Sequence, residues 1–130
     1  MVRNCGKAIL AFCFCALLFA PAAAKAEATA NALLQRYDSS TPDEKQLTEF
    51  AVEQTENGIG WANSYLFMVR KEPPIFCPPS NVGVSGSQIL EMLRRGIREE
   101  PTLGQYPFGM AVVLALQKYL PCPEETQSKK

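Results

Sequence analysis

Proline sets the outline of this chain. Its ten prolines are Pro21, Pro42, Pro73, Pro74, Pro78, Pro79, Pro101, Pro107, Pro121 and Pro123. A proline ring locks φ and removes a backbone donor, so it suits the first turn of a helix and ends one elsewhere. Between these positions the apolar residues recur at spacings of three and four, the period of one helix face. The chain therefore reads as all-α, a small domain of four to five helices with no internal repeat.

The helix boundaries can be placed from caps and stops. Residues 28–37 form a short helical segment anchored by Leu33 and Leu34, and Asp38-Ser39-Ser40 is a turn. Thr41-Pro42-Asp43-Glu44 is a helix start: Thr41 caps free N–H groups, Pro42 suits the first turn and Glu44 completes a capping box. The stripe Leu47, Phe50, Ala51, Gln54, Gly58, Trp61, Ala62, Tyr65, Met68 and Val69 predicts a helix running to about Lys71. At 1.5 Å per residue its length is about 45 Å. Gly58 and Gly60 mark either a kink or a close helix crossing, because glycine in a helix otherwise costs about 1 kcal/mol. Residues 72–84, with four prolines, are an ordered extended connection. Ser85 and Gln88 open the next helix at capping-box spacing, with Ile89, Leu90, Leu93 and Ile97 on its apolar face, and Pro101 ends it. Pro107 opens the last helix, whose apolar residues run from Phe108 to Leu120. The short link 102–106 predicts an antiparallel hairpin of these two helices. The polar tail 124–130 is expected to be disordered.

The N-terminus predicts the compartment. Arg3 and Lys7 precede an uninterrupted apolar run of 13 residues, Ala8 to Ala20, which Pro21 breaks before Ala24-Lys25-Ala26. That order is a secretory signal peptide over residues 1–26, cleaved before Glu27. The run is shorter than the roughly 20 apolar residues of a membrane span. Cys13 and Cys15 lack the small neighbours of a lipid-modification site. Cleavage leaves a single domain, 27–123, in the periplasm; from Glu27 onward the chain has ten basic against 13 acidic residues and a net charge of −3. Nucleic acid and anionic membranes need a basic surface and are poor partners for it.

Of five cysteines, only Cys77 and Cys122 lie outside the leader. In an oxidising compartment a pair reads first as a disulfide, and second as two buried thiols. A metal site is a poor third, because the chain has no histidine and two thiolates do not complete a zinc site. The hairpin geometry supports the bridge: Cys77 precedes one helix and Cys122 follows its neighbour, which puts both at one end.

The same lack of histidine excludes histidine-based triads and Cys–His pairs, and no Gly-rich phosphate loop or cofactor motif is present. A binding protein is therefore expected rather than an enzyme. A small hydrolase working through carboxylate pairs such as Asp43/Glu44 or Glu99/Glu100 is the weaker alternative. Arg94, Arg95 and Arg98 form a basic patch, read either as a contact for an acidic partner or as a solvated face paired with Glu91, Glu99 and Glu100. Ile75 and Phe76 sit in the proline-stiffened connection, where a rigid loop loses little entropy on binding. The alternative for Phe76 is a plug under the helix hairpin. Trp61 and Tyr65 are assigned first to the core and second to a binding face.

The stretch from Phe76 to Pro123 resembles the Rap/Tai immunity proteins of type VI secretion systems. The features that carry it are Phe76-Cys77-Pro78-Pro79, the turn Val82 to Val84, Gln88, Glu100-Pro101 and Leu120-Pro121-Cys122. The resemblance implies an all-α periplasmic fold, often a homodimer, that binds and occludes a secreted peptidoglycan amidase toxin. Its paired cysteines match Cys77 and Cys122. The chain departs from that family in the long helix, where residues 53–61 hold no cysteine and the glycines are shifted. A periplasmic structural or chaperone-like protein of the acid-stress kind is the alternative reading.

Overall fold

Local chemistry places every helix start in the computed structural model, which describes residues 27–79 and 83–123. Thr29 accepts from the Ala32 N–H and caps α1, Ala30–Ser39. Thr41 and Glu44 form a reciprocal capping box on α2, Pro42–Tyr65, with Pro42 in its first turn. Ser85 and Gln88 do the same for α3, Gly86–Glu99. Pro107 precedes α4, Phe108–Tyr119. The expected leader 1–26 and tail 124–130 lie outside the described residues, as do residues 80–82. Among the described residues no helix is long and apolar enough to cross a membrane.

The long helix is continuous through Gly58 and Gly60. It runs into a π-helical turn, Leu66–Arg70, and stops at Lys71, which adopts the left-handed conformation with φ 59°. The Lys71 ammonium donates to the Met68 carbonyl (2.7 Å), and the Glu72 N–H donates to the Leu66 carbonyl (3.0 Å). Pro73 then prevents further helix.

The core is built from α3 and α4 against the inner side of α1 and α2. Ile89, Leu90, Leu93, Leu116, Val112, Val52 and Phe76 are its largest fully buried side chains. Each contributes about 1.5–3 kcal/mol by leaving water. Gly86 is where α3 meets α2. A Cβ there would overlap the Glu49 backbone, so the two backbones touch with no side chain between them.

That close crossing turns the long helix over. Only Val52 and Asn63 are buried on it, with Ile59 half-buried. The stripe expected to face the core faces solvent instead: Leu47 is 69% exposed, Phe50 61%, Trp61 78%, Tyr65 54% and Met68 67%. Backbones in contact leave no room for bulky side chains between them, so the side with the smaller residues packs inward. Trp61 and Tyr65 are therefore not core residues.

The link between α3 and α4 also differs from the expected tight hairpin. Pro101–Gln105 form a 3-10 turn with Leu103 and Gly104 buried. Gly104 packs against Asn31 of α1. The chain is pinned there by Ala30 N–H to the Tyr106 carbonyl (3.1 Å) and Phe108 N–H to the Ala28 carbonyl (2.9 Å). This detour over α1 changes which ends meet. Tyr119 at the end of α4 lies against Gly96, and Lys118 pairs with Glu99, so the C-terminal turns of α3 and α4 adjoin. A simple antiparallel hairpin would have placed the start of one beside the end of the other.

Candidate functional site

The connection between α2 and α3 is held from both sides. Cys77 and Cys122 form a disulfide with Cα atoms 4.8 Å apart. Beside it, the Cys77 N–H donates to the Leu120 carbonyl (2.9 Å). From the other side, Asn63 acts as a strand partner would. Its amide donates to the Phe76 carbonyl (2.8 Å), and its Oδ1 accepts from the N–H groups of Ile75 and Phe76. Asn63 is the one buried polar side chain among the described residues, and its side-chain hydrogen bonds all go to this loop.

This anchoring sorts the loop residues. Phe76 is 1% exposed and packs into the core, so it is the plug and not a surface contact. Ile75 is half-buried. The outward rim consists of Pro73, Pro78 and Pro79. Next to it lies a shallow groove of about 330 Å³ bordered by Glu56, Asn57, Ser64 and Pro78. Burial, and then the neighbouring Glu53 charge, push the Glu56 carboxyl above its ordinary range.

The three arginines are each paired within the domain. Arg94 bonds Asp38 of α1, reaches Glu91 (4.0 Å) and lies over the Tyr37 ring (5.4 Å). Arg98 pairs with Glu91 (3.5 Å). Arg95 pairs with Glu99 (3.1 Å) and lies over Tyr119 (5.1 Å). No hydrogen bond or ion pair among the described residues joins them to Ile75 or Phe76. The five candidate contact residues therefore do not converge on one site. Exposed pairs of this kind contribute about 0–1 kcal/mol each. No described cluster of three or more acidic or cysteine side chains is arranged to hold a metal ion.

Glu99 is the most perturbed carboxylate. The Lys118 ammonium (2.6 Å) and the Arg95 guanidinium (3.1 Å) hold its carboxyl down at about 2, with the Tyr119 hydroxyl donating as well (3.2 Å). A carboxyl depressed in the folded state stabilises above its ordinary pKa and loses that contribution as pH falls through the folded value. The protein is therefore expected to lose thermal stability between about pH 4.5 and pH 2. Glu99→Gln should flatten that part of a melting-temperature profile, which circular dichroism measures. Identical profiles for the two proteins would exclude the cluster as a source of acid sensitivity.

A second perturbed group joins α1 to α2. The Tyr37 hydroxyl donates to Glu49, and this bond, with burial, raises its pKa. Beside it a groove of about 440 Å³ opens between the two helices, lined by Leu33, Tyr37, Leu47, Thr48, Ala51 and Thr55 among others. Sequence reasoning passed over both Asn63 and this groove. The only available signal for Asn63 was an amide set opposite the apolar stripe. Compared with known proteins, the chain matches no family model, no curated protein and no solved structure.

Proposed function

We propose that this chain is a periplasmic immunity-type protein that binds and blocks a secreted peptidoglycan amidase toxin of a type VI secretion system. The observation that carries the reading is the doubly anchored loop, Glu72 to Pro79. The bridge Cys77–Cys122 closes the same stretch on which the resemblance to the Rap/Tai proteins rests. Asn63 fixes the loop from behind, while the proline rim stays outward. A pre-organised edge gives up little entropy when a partner seats on it, which suits tight stoichiometric inhibition. The expected leader, residues 1–26, would deliver the chain to the compartment where such toxins act. Binding without turnover fits a chain that lacks histidine altogether.

The test is titration of the processed protein against a peptidoglycan amidase encoded beside its gene. Saturable inhibition at a fixed ratio, weakened by Pro78→Glu, is the expected result. Undiminished hydrolysis in the presence of excess protein would reject the reading. A second reading, a chaperone-like protein of the acid-stress kind, draws on the exposed apolar face of α2. It requires suppression of aggregation of several unrelated unfolded proteins at acidic pH, which an immunity protein would not show.

A further inference from the structure

We propose that the groove of about 440 Å³ between α1 and α2 is a binding site for a single-chain amphiphile with an anionic head, of the class of a long-chain carboxylate. The first support is shape. Leu33, Tyr37 and Ser40 line it from α1, and Leu47, Ala51 and Thr55 from α2, each set at the spacing of one helix face. Between the two faces it reaches the core at Val52 and Phe108, both buried. From Glu44 to Thr55 the α2 wall runs about 16 Å at 1.5 Å per residue, close to the length of an extended dodecyl chain. A volume above about 300 Å³ is enough for a small ligand.

The second support is that most polar groups of the wall are already engaged. The Thr48 hydroxyl donates to the Glu44 carbonyl (2.9 Å), Thr55 to the Ala51 carbonyl (3.0 Å) and Ser40 to the Arg36 carbonyl (2.7 Å). The Glu44 carboxylate accepts from the Thr41 N–H (2.8 Å) and hydroxyl (2.9 Å). The Tyr37 hydroxyl is held by Glu49. Hydroxyls bonded to their own helix leave no donor for a ligand, so most of the groove offers only apolar contact.

The third support is charge at one end. Arg36 lies in the last turn of α1, and its guanidinium has no ion pair among the described residues. Every other described arginine has one: Arg70, Arg94, Arg95 and Arg98. Lys45, 5.5 Å from the centre of the Tyr37 ring, likewise has none. Two such cations complement an anionic head and repel a cationic one. Arg36 and Ser40 adjoin the turn into α2, so the head sits there and the chain runs toward Thr55 and Phe108. The net charge of −3 from Glu27 onward opposes an anionic bilayer, so the ligand is a single molecule rather than a membrane surface. The groove lies apart from the loop Glu72 to Pro79, and its ligand does not depend on which protein, if any, that loop captures.

The experiment uses protein purified from cells expressing the full sequence, with the Cys77–Cys122 bridge intact. Calorimetric titration with sodium dodecanoate, kept below its micelle concentration, should saturate at one molecule per chain. Butanoate, with the same head and little tail, should bind at least about 100-fold more weakly. Dodecylammonium, with the same tail and a cationic head, should bind at least about 10-fold more weakly. Arg36→Gln should weaken dodecanoate about 10-fold or more and remove the preference for the anionic head. Ala51→Trp should fill the groove and abolish binding. Helix content by circular dichroism should stay unchanged in both variants, because both positions lie outside the core. Absence of saturable dodecanoate binding would overturn the proposal, as would many molecules per chain with loss of helix, which marks detergent action. Unchanged affinity in Arg36→Gln, or in a folded Ala51→Trp, would overturn it too. Capture on phosphatidylglycerol vesicles that survives both substitutions would assign the affinity to a membrane surface instead of this groove.

Discussion

Replacing both Cys77 and Cys122 with serine is expected to lower the melting temperature of residues 27–130 by about 15 °C or more, taking 4–8 °C per kcal/mol for a domain of this size. The bridge closes a loop spanning 45 residues. Removing that constraint from the unfolded chain is worth roughly 4 kcal/mol. The covalent tie also holds α3 and α4, with the 3-10 turn between them, as one closed unit that carries most of the core. Without it the Cys77 N–H to Leu120 carbonyl bond is left to hold the end of α4 to the loop. Thermal scans with and without reductant measure the effect, at one fixed protein concentration, since association also shifts a melting point. Reductant should move the parent curve and leave the serine variant where it is. Coincident curves for parent and variant would remove the bridge as a source of stability.

What could be read from the sequence followed the range of the interactions concerned. The capping boxes Thr41/Glu44 and Ser85/Gln88 each involve residues three apart, and both are present as expected. Proline stops are equally local, so the boundaries near Pro73, Pro101 and Pro107 could be placed in advance. The cysteine pair needed only a count; the bridge is present although the hairpin invoked to support it is not how the helix ends meet. The orientation of α2 was beyond such reasoning. A stripe at helical spacing shows that one face is apolar; it does not show what covers that face. Here the deciding contact is Gly86 against the Glu49 backbone, between residues far apart in the chain. The α3–α4 link was misjudged for a similar reason, because Gly104 packs against Asn31 of α1 while Leu103 folds back onto Gly96 of α3.

The candidate site divides along the same line. Proline content announced a stiff loop, and Cys77 announced that it was tied down. Which of its residues point outward depends on the core, and Phe76 turned inward because an apolar ring under α3 and α4 removes more surface from water than a proline rim does. The arginines of α3 offered net positive charge in sequence. Asp38, brought from α1, and Glu91 and Glu99, one or two turns away, neutralise them in space.

Asn63 is where fold and site depend on one side chain, and Asn63→Ala is expected to cost about 3 kcal/mol or more, since each buried polar group left unpaired costs roughly 1–3 kcal/mol. Three backbone groups lose their partner: the N–H groups of Ile75 and Phe76, and the Phe76 carbonyl. Phe76 is only 1% exposed, so its backbone groups have little access to water as the domain stands. A loss of this size is a large share of the 5–15 kcal/mol that holds a typical domain together. Denaturant unfolding should show a lower midpoint, and amide exchange at Ile75 and Phe76 should accelerate more than exchange in the middle of α3. Combined with loss of the bridge, the effect should be less than additive, because both changes release the same loop and it can be released only once. Full additivity, or an unchanged midpoint for Asn63→Ala, would mean that the loop holds its shape without this amide, and the rigid edge assigned to partner binding would lose its physical basis.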